Sequence, residues 1–285
     1  MRILVFGKTG QVARELQKLC PADVEIYMLG RKEADLSNPL ACAAQIENST
    51  ADVVINVAAY TAVDKAEQEN ALAQIVNGVA PAEMARAAAS KSIPFLHVST
   101  DYIFDGAGET PFPTDHPAAP LGAYGRSKYS GEEGVRAAGG PHVILRTSWV
   151  FSAHGGNFVK TMLRLGGERK NLTVVADQIG GPTAASAIAV ALFDIARAFH
   201  TGRGTSGTYH FCGAPETSWA GFAREIFAQA QLAVEVTDIP TSDYPTPAKR
   251  PLNSRLDCST LKADYNVSQP DWRIDLEKVL KELDI

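Results

Sequence analysis

Short apolar runs separated by amphipathic stretches dominate the first half of the chain. Arg2–Phe6 is such a run; it ends in Gly7-Lys8-Thr9-Gly10-Gln11-Val12-Ala13, and a helical pattern follows through Leu19. Glu25–Leu29 and residues 53–57, 94–99 and 143–145 read as further strands. Between them, residues 39–48 read as a helix with proline near its first turn, residues 71–90 as a long alanine-rich helix, and another helix starts near Ala123. Strands alternating with helices at this spacing predict a Rossmann-type α/β fold, a doubly wound parallel sheet covered on both faces. Beyond Trp149 the rhythm loosens. Residues 157–165 and 184–200 look helical, residues 172–175 and 208–211 look like short strands, and Ser218 is placed to cap a helix running to Ala230. Residues 240–251 read as an ordered proline-rich loop and residues 275–283 as a closing amphipathic helix. The expected organisation is a dinucleotide-binding domain over residues 1–150 and a small C-terminal, mainly substrate-binding lobe over 151–285, with some segments returning to the core.

Candidate chemistry concentrates where this pattern puts the ends of strands. Tyr124 and Lys128 are four residues apart, about one helical turn, so a helix over them puts phenol and ammonium on one face. An ammonium beside a phenol favours its ionised form; lowering it by ~2–3 units takes roughly 3–4 kcal/mol of differential interaction. Such a tyrosine passes a proton to a carbonyl oxygen at neutral pH. An amphipathic surface helix with an incidental Tyr/Lys pair is the competing reading. Of the eight tyrosines only Tyr124 has a lysine four residues later.

Gly7 and Gly10 lie between the first strand and first helix, where backbone can approach a pyrophosphate and the helix N-terminus favours negative charge; Gln11 and Val12 follow directly. Ala13 takes the place of a third glycine, tolerable where only close packing is required. Arg31, just past the second strand, is placed to accept a ribose 2′-phosphate, which tilts the cofactor expectation toward NADPH without excluding NADH; Asp35 and Leu36 are placed to flank the adenine. After the third strand, Ala58, Ala59, Tyr60 and Thr61 let a cofactor lie close to the strand end, with Val63 facing ligand. Thr100 and Asp101 end the fourth strand, the threonine able to polarise a carbonyl and the aspartate to tune proton transfer or bind sugar hydroxyls. Trp149 offers a flat face to a sugar ring or is a core tryptophan. The segments around Asp177-Gln178 and Arg250 to Asp257, with Asn253 and Arg255, suit a nucleotide diphosphate or serve as scaffold hydrogen bonds.

Composition narrows the classes. At 285 residues, 45% hydrophobic and 21% charged, the chain is an ordinary globular protein with a sizeable core. A net charge of −5 argues against nucleic acid as the main partner. No apolar run is long enough for a bilayer or a signal peptide, and the four cysteines have neither metal nor disulfide spacing, so a cytoplasmic setting with reduced thiols is expected. The six histidines show no metal spacing, and no metal site is expected.

Together these segments resemble the extended short-chain dehydrogenase/reductases and, within them, the dTDP-4-dehydrorhamnose reductase family. The resemblance runs over nearly the whole chain: Gly7-Lys-Thr-Gly-Gln-Val12, Asn56 through Glu67, Ser99-Thr-Asp-Tyr-Ile-Phe-Asp-Gly106, Tyr124-Gly-Arg-Ser-Lys128, Arg146-Thr-Ser-Trp-Val150, Asp177-Gln178 with Gly181-Pro-Thr183, and Arg250 through Leu256. It implies that Tyr124 donates the proton, that Lys128 holds the nicotinamide ribose and lowers the phenol, and that Thr100 completes a triad. It also implies cofactor contacts at residues 10–12, Asp35, Leu36, residues 59–61 and Val98, and sugar contacts at Asp101 and Trp149. The implied reaction is hydride transfer from NADPH or NADH to the C4 ketone of dTDP-4-dehydro-L-rhamnose, by a monomer or homodimer. Some family members bind magnesium at a dimer interface through acidic residues. Glu15 is present here, but Ser186 stands where another of them is expected, which counts against that metal. Dehydration of the sugar needs a further carboxyl beside Thr100-Asp101, and Tyr102 stands there instead. The alternatives carried forward are reduction of a related 4-keto sugar nucleotide and a non-catalytic NADP-binding regulatory subunit resembling that of methionine adenosyltransferase.

Overall fold

Alternation within β1 (Arg2–Phe6) sets the layering of the molecule. Ile3 and Val5 join one hydrophobic cluster and Leu4 and Phe6 another, so this strand is buried on both faces. The computed structural model describes residues 1–285. After β1 come α1 (Gln11–Lys18), β2 (Glu25–Leu29), α2 (Pro39–Glu47), β3 (Val53–Asn56), the short α3 (Val63–Ala66) and α4 (Asn70–Gln74), α5 (Ala80–Ser90), β4 (Phe95–Thr100), α6 (Ala123–Ala137) and β5 (His142–Thr147). The second half adds β6 (Val150–Phe151), α7 (Phe158–Glu168), β7 (Asn171–Val175), β8 (Ile179–Gly180), β9 (Thr183–Ala184), α8 (Ala185–His200), β10 (Gly207–His210), β11 (Thr217–Ser218), α9 (Trp219–Gln229), β12 (Glu235–Ile239), β13 (Asn253–Ser254), α10 (Ser259–Tyr265) and α11 (Trp272–Glu282).

The main sheet is fully parallel in the order β2-β1-β3-β4-β5-β10. The chain leaves β1 outward to β2 and then crosses back to β3, so the strand order reverses beside β1, and the crevice beyond the strands' C-terminal ends there is where such sheets bind ligands. One face of the sheet packs on α1, α8 and α10, through Leu16, Ile188, Leu192 and Leu261. The other packs on α2, α5 and α6, through Ile46, Met84 and Val135. The strand expected near residues 208–211 is β10, which returns from the second half to pair with β5 in the main sheet. The helix expected over residues 71–90 is interrupted by a π turn at Ile75–Val79, which turns Asn77 and Gly78 inward.

The lobe has its own core. Phe151, Val159, Met162, Leu172, Phe222, Trp272 and Leu276 pack together between α7, α9, α11 and the β7–β12 pair. Ser218 caps α9 as expected, its hydroxyl accepting the Gly221 N–H at 3.0 Å.

α6 positions the chemistry, and its inward stripe is mostly polar. Ser127, Lys128, Gly131, Glu132 and Val135 recur at helical spacing and are all buried. Gly125, Gly131 and Gly134 permit this: a Cβ at these positions would overlap the Tyr102 carbonyl, the Asn77 carbonyl and the Ala82 side chain respectively. Glu132 then bolts the helix to the sheet. It takes two bonds from the Arg146 Nε, at 3.0 and 3.2 Å, and one from Nη2 at 2.7 Å, besides the Ser99 hydroxyl at 2.6 Å and Arg136 at 2.6 Å. Burial alone would raise this carboxyl, but Arg146 with Ser99 and Arg136 outweighs it and holds it below the usual range. Removing one partner leaves a buried guanidinium uncompensated. Glu132→Ala therefore loses about 3–5 kcal/mol in urea unfolding at neutral pH. The wild-type advantage over this variant falls away as the pH drops through the lowered Glu132 pKa.

Candidate active site

Thr100, Asp101 and Tyr124 meet at the C-terminal end of β4. Thr100 lies at the strand end and caps the turn at Asp101–Ile103, its hydroxyl accepting the Tyr102 N–H at 3.2 Å. The same hydroxyl donates to Asp101 Oδ1 at 3.0 Å. Tyr124 is one residue into α6 and meets Tyr102 edge-on, with ring centroids 5.5 Å apart. The close approach at Gly125 lets α6 lie against that turn, bringing the phenol to the threonine.

The electrostatics of the three ionisable groups differ from the sequence expectation. Burial pushes the Tyr124 phenol up to about 12; the Thr100 hydroxyl opposes the rise and Asp101 adds to it. The ammonium-bearing end of Lys128 is fully buried and turns to the sheet, where Nζ donates to the Val98 carbonyl at 2.8 Å and lies 3.2 Å from His97 Nε2. Burial brings Lys128 itself down to about 8, against a smaller opposing pull from Glu132. Asp101 rises to about 6 through burial, only partly offset by the Ser254 and Thr100 hydroxyls, and its Oδ2 has no donor in hydrogen-bonding geometry.

The residues expected to cradle a cofactor lie at the reversal of strand order. Gly7 adopts φ +114°, and a Cβ there would press on Val57 and the Ala58 amide. Gly10 is the N-cap of α1, with no side-chain cap and open space where a Cβ would stand. The first N–H groups of this helix thus face outward without a partner from the chain, which fits a pyrophosphate. Ala13 is buried as packing. Gln11 spends its side-chain carbonyl on Ser152 and Asn157, both at 2.9 Å, tying the helix to the lobe. Arg31 is exposed and pairs with Asp35 at 3.2 Å; Leu36 is in the core beneath. Asn77 of the π turn holds the Tyr60 backbone from both sides, at 2.8 and 3.0 Å, and so fixes the Ala58–Ala59–Thr61 stretch at the rim. Val63 opens α3.

A cavity of about 640 Å³ continues from Tyr102 into the lobe. Asp64 and Arg250 line it beside Tyr102, and Arg169, Asn171, Gln178 and Trp219 line it further in. Arg250 Nη2 pairs with Asp64 at 2.8 Å, while its Nη1 is buried without a partner. Trp149, held at φ +49°, stacks on Trp219 with centroids 3.7 Å apart, and Gln178 accepts the Trp219 indole N–H at 3.1 Å. Of the two stacked rings, Trp219 lines the cavity. Asn253 gives its amide N–H groups to the Ala107 and Thr110 carbonyls, and Arg255 pairs with Glu216 at 2.6 Å, so these two hold the bordering loop. Asp177 likewise accepts the Thr241 N–H and hydroxyl.

Sequence reasoning missed His97, Asn77 and Trp219. None stands in a motif; His97 sits inside an apolar strand run, and only its two-residue offset from Thr100's neighbour Ser99 hinted at a place near the site. A further cluster, Glu15, His154 and Glu282, brings one ligand-type atom of each within 4.8 Å, although Lys18 already pairs with Glu282 at 2.6 Å.

A family model described as the RmlD substrate binding domain matches residues 1–285. The dTDP-4-dehydrorhamnose reductase of Sinorhizobium fredii is 44% identical over 278 residues, covering 95% of this chain and 94% of that protein. Among solved structures, a dTDP-4-dehydrorhamnose reductase from Clostridium acetobutylicum superposes with a TM-score of 0.93 at 36% identity, covering 100% of both chains. One from Bacillus anthracis, in complex with NADP, also gives 0.93, at 34% identity over 99% of each chain.

Asp101 gives the site a measurable signature. Its carboxyl is ionised above about pH 4 in the unfolded chain but holds its proton to about pH 6 in the folded one, so it costs stability as the pH rises between those values. Asp101→Asn removes that cost: the variant gains up to about 2–3 kcal/mol over the wild type above pH 6 and nothing below pH 4, read by urea unfolding across the range.

Proposed function

This chain belongs to the family of the RmlD substrate binding domain, and from that premise we propose that it reduces the C4 ketone of dTDP-4-dehydro-L-rhamnose to dTDP-L-rhamnose with NAD(P)H. The observation that carries this reading is the join between the Thr100–Asp101–Tyr124 cluster and the lobe cavity. At that join stands Tyr102, a phenol pushed above its usual value by burial, where dehydration would require a carboxyl. The site therefore has Tyr124 as proton donor and lacks the further carboxyl beside Asp101 that expelling water would need.

NAD(P)H, when bound, supplies the hydride. The residues assigned to hold it are the α1 N-terminus at Gly10, Gln11 and Val12 with Gly7 beneath, Arg31, Asp35 and Leu36 at the adenosine, and Ala58 through Thr61 with Val98 toward the nicotinamide. Tyr124 keeps its proton until negative charge develops on the ketone oxygen and then donates it from Oη. Thr100 donates its hydroxyl hydrogen to the same oxygen, which it is free to do once Asp101 is protonated and no longer claims that hydrogen. Trp149 and Val63 border the sugar. The nucleotide diphosphate occupies the lobe cavity, where the unpartnered Nη1 of Arg250 offers a charge-assisted bond to a diphosphate oxygen.

Residues 151–285 are thus mainly the substrate lobe, with β10 returned to the nucleotide-binding sheet. A cytoplasmic setting and a role in supplying cell-surface polysaccharide precursors complete the proposal. The four unbonded cysteines support the first, and no helix is long and apolar enough to cross a membrane.

Purified protein oxidises NADPH or NADH only when the 4-keto sugar nucleotide is supplied. Tyr124→Phe loses about 10²–10⁴ in kcat, and an active Tyr124→Phe variant defeats the proton-donor assignment. Tight NADP binding by a wild type that leaves this ketone untouched favours the regulatory-subunit reading instead. Arg250→Ala raises KM for the sugar nucleotide by about 10–100-fold while kcat changes little, the loss of one charge-assisted bond made equally before and during reaction. An unchanged KM removes Arg250 from the diphosphate site.

A further inference from the structure

Cys212 and Cys258 are 46 residues apart in the chain, and the fold brings their sulfurs to 3.8 Å. Cys212 follows β10 after one residue, and Cys258 is the N-cap of α10. Both are buried in a small cluster with Ile103, Phe104, Phe112 and Leu256. Ile103 ends the turn that begins at Asp101, so this cluster lies directly behind the reactive corner of the cleft. The other two cysteines have no thiol partner; Cys20 and Cys42 donate to backbone carbonyls instead.

The two thiols are not equivalent. The Gln269 side-chain amide donates to Cys212 Sγ at 3.5 Å, a contact that favours negative charge on that sulfur. Cys258 Sγ has only the Leu256 carbonyl, at 3.5 Å, and the Cys212 sulfur to receive its proton. The hydrogen bond from Cys258 draws the Cys212 thiol below its usual value against the cost of burial, and the same bond, with burial, pushes Cys258 up. Cys212 is therefore the thiolate-forming member and Cys258 the one that keeps its proton.

A bond between them would be felt in the cleft. Sulfurs in a disulfide stand about 2.05 Å apart, so the pair has roughly 1.8 Å to close. The Cys212 side is fixed, because the Phe211 N–H donates to the Arg146 carbonyl at 2.9 Å and the Gly213 N–H to the Thr183 hydroxyl at 3.2 Å. Gly181 lies against the Cys212 sulfur besides. The Cys258 side ends a short extended segment that starts at β13 and carries Ser254, whose hydroxyl bonds the Asp101 carboxyl. Drawing Cys258 inward pulls that segment along its length and takes Ser254 from Asp101.

We propose that Cys212 and Cys258 form a reversible disulfide in the presence of a hydroperoxide, and that this bond turns the site off by displacing Ser254 from Asp101. The effect on catalysis rests on the reductase reading; the chemistry of the pair does not. With hydrogen peroxide, the Cys212 thiolate attacks one oxygen, the O–O bond breaks, and the departing hydroxide takes the Cys212 proton to become water. Cys258 sulfur then attacks Cys212 sulfur and breaks its new S–O bond, and the hydroxide released combines with the Cys258 proton. Two thiols are oxidised by two electrons, and one peroxide is reduced to two waters.

The test treats the purified full chain with hydrogen peroxide and counts thiols after unfolding. The expected count falls from four to two, with a mass lower by two hydrogens. Trypsin cuts after Arg203, Arg224, Arg255 and Lys262, so the bond shows as residues 204–224 linked to 256–262. Ketone reduction falls by about 10–100-fold, as a shift of about 1 Å at the site implies, and returns with dithiothreitol. Cys212→Ala keeps its activity before and after peroxide. Four surviving thiols, or oxidation confined to Cys20 with these two peptides unlinked, overturn the site. Linked peptides with undiminished activity, or equal loss of activity in Cys212→Ala, overturn the control of catalysis. Should Cys212→Ala not fold, the peptide map and the dithiothreitol reversal of the wild type decide the matter. A wild type that forms the link but reduces no ketone in either state defeats the reductase reading and leaves the disulfide standing.

Discussion

A helix that turns its polar face into the protein is the constraint on which this site depends. Lys128 and Glu132 are both buried on α6, and each buried charge carries a desolvation cost of several kcal/mol unless its partners are in place. Glu132 meets that demand through Arg146, Ser99 and Arg136; Lys128 meets it by sitting on Val98 and His97. These partners lie on β4 and β5, so the helix has one rotation and one height at which all of them are satisfied. The glycines at 125, 131 and 134 set the distance, since any side chain there would hold α6 away from its neighbours. The reactive phenol inherits its position from this fit, with the Thr100 hydroxyl beside it. Proton transfer tolerates misplacement poorly, about 10²-fold for 1 Å, which is reason enough for a helix fastened by ionic contacts rather than by interchangeable apolar ones.

The second wall of the cleft is fastened in a different way. Trp149 occupies the left-handed region, at a cost of order 1–2 kcal/mol for a side-chain-bearing residue. The stack on Trp219, itself held by Gln178, offsets that cost. Gly180 lies so close to the indole that a Cβ would collide with it. The aromatic pair thus joins the segment just after β5 to the start of α9 in the lobe, and Trp219 of the same contact lines the lobe cavity.

Apolar periodicity reported the strands and most helices because those elements bury apolar faces. Ile3, Val5, Val53 and Ile55 say little beyond being inside, and that suffices for a parallel sheet. The same signal is silent about α6, whose buried stripe reads as solvent-facing polar sequence; only the Tyr/Lys spacing and the resemblance pointed inward. The threonine-aspartate pair was legible because strand ends in such sheets face ligand. Asn253 and Arg255 were legible as polar and grouped, but whether a polar group is free or spent is a property of its neighbours, and here Ala107, Thr110 and Glu216 spend them. The direction of the Tyr124 shift was not legible for a similar reason. Spacing on one helix brings phenol and lysine to one side, whereas the lysine's actual partners, His97 and Val98, come from a strand 31 and 30 residues earlier.

That direction bears on which way the chemistry runs. Three groups in one cleft are driven apart from their ordinary behaviour: Asp101 to about 6, Lys128 to about 8 and Tyr124 to about 12. A tyrosine that must remove a proton from an alcohol profits from a lowered pKa before substrate arrives. One that must deliver a proton to an oxygen gaining negative charge profits from keeping it, and a phenol near 12 is fully protonated at neutral pH yet still a stronger acid than the alcohol it leaves behind. Below about pH 6 a protonated Asp101 frees the Thr100 hydroxyl for the same oxygen, while Lys128, brought down to about 8, still carries its charge at neutral pH and directs it to Val98 and His97. Each shift arises chiefly from burial, and that of Tyr124 leaves the phenol holding its proton. Opposed shifts of neighbouring groups are how one fold separates acid from base roles; here the Tyr124 shift falls on the side of reduction.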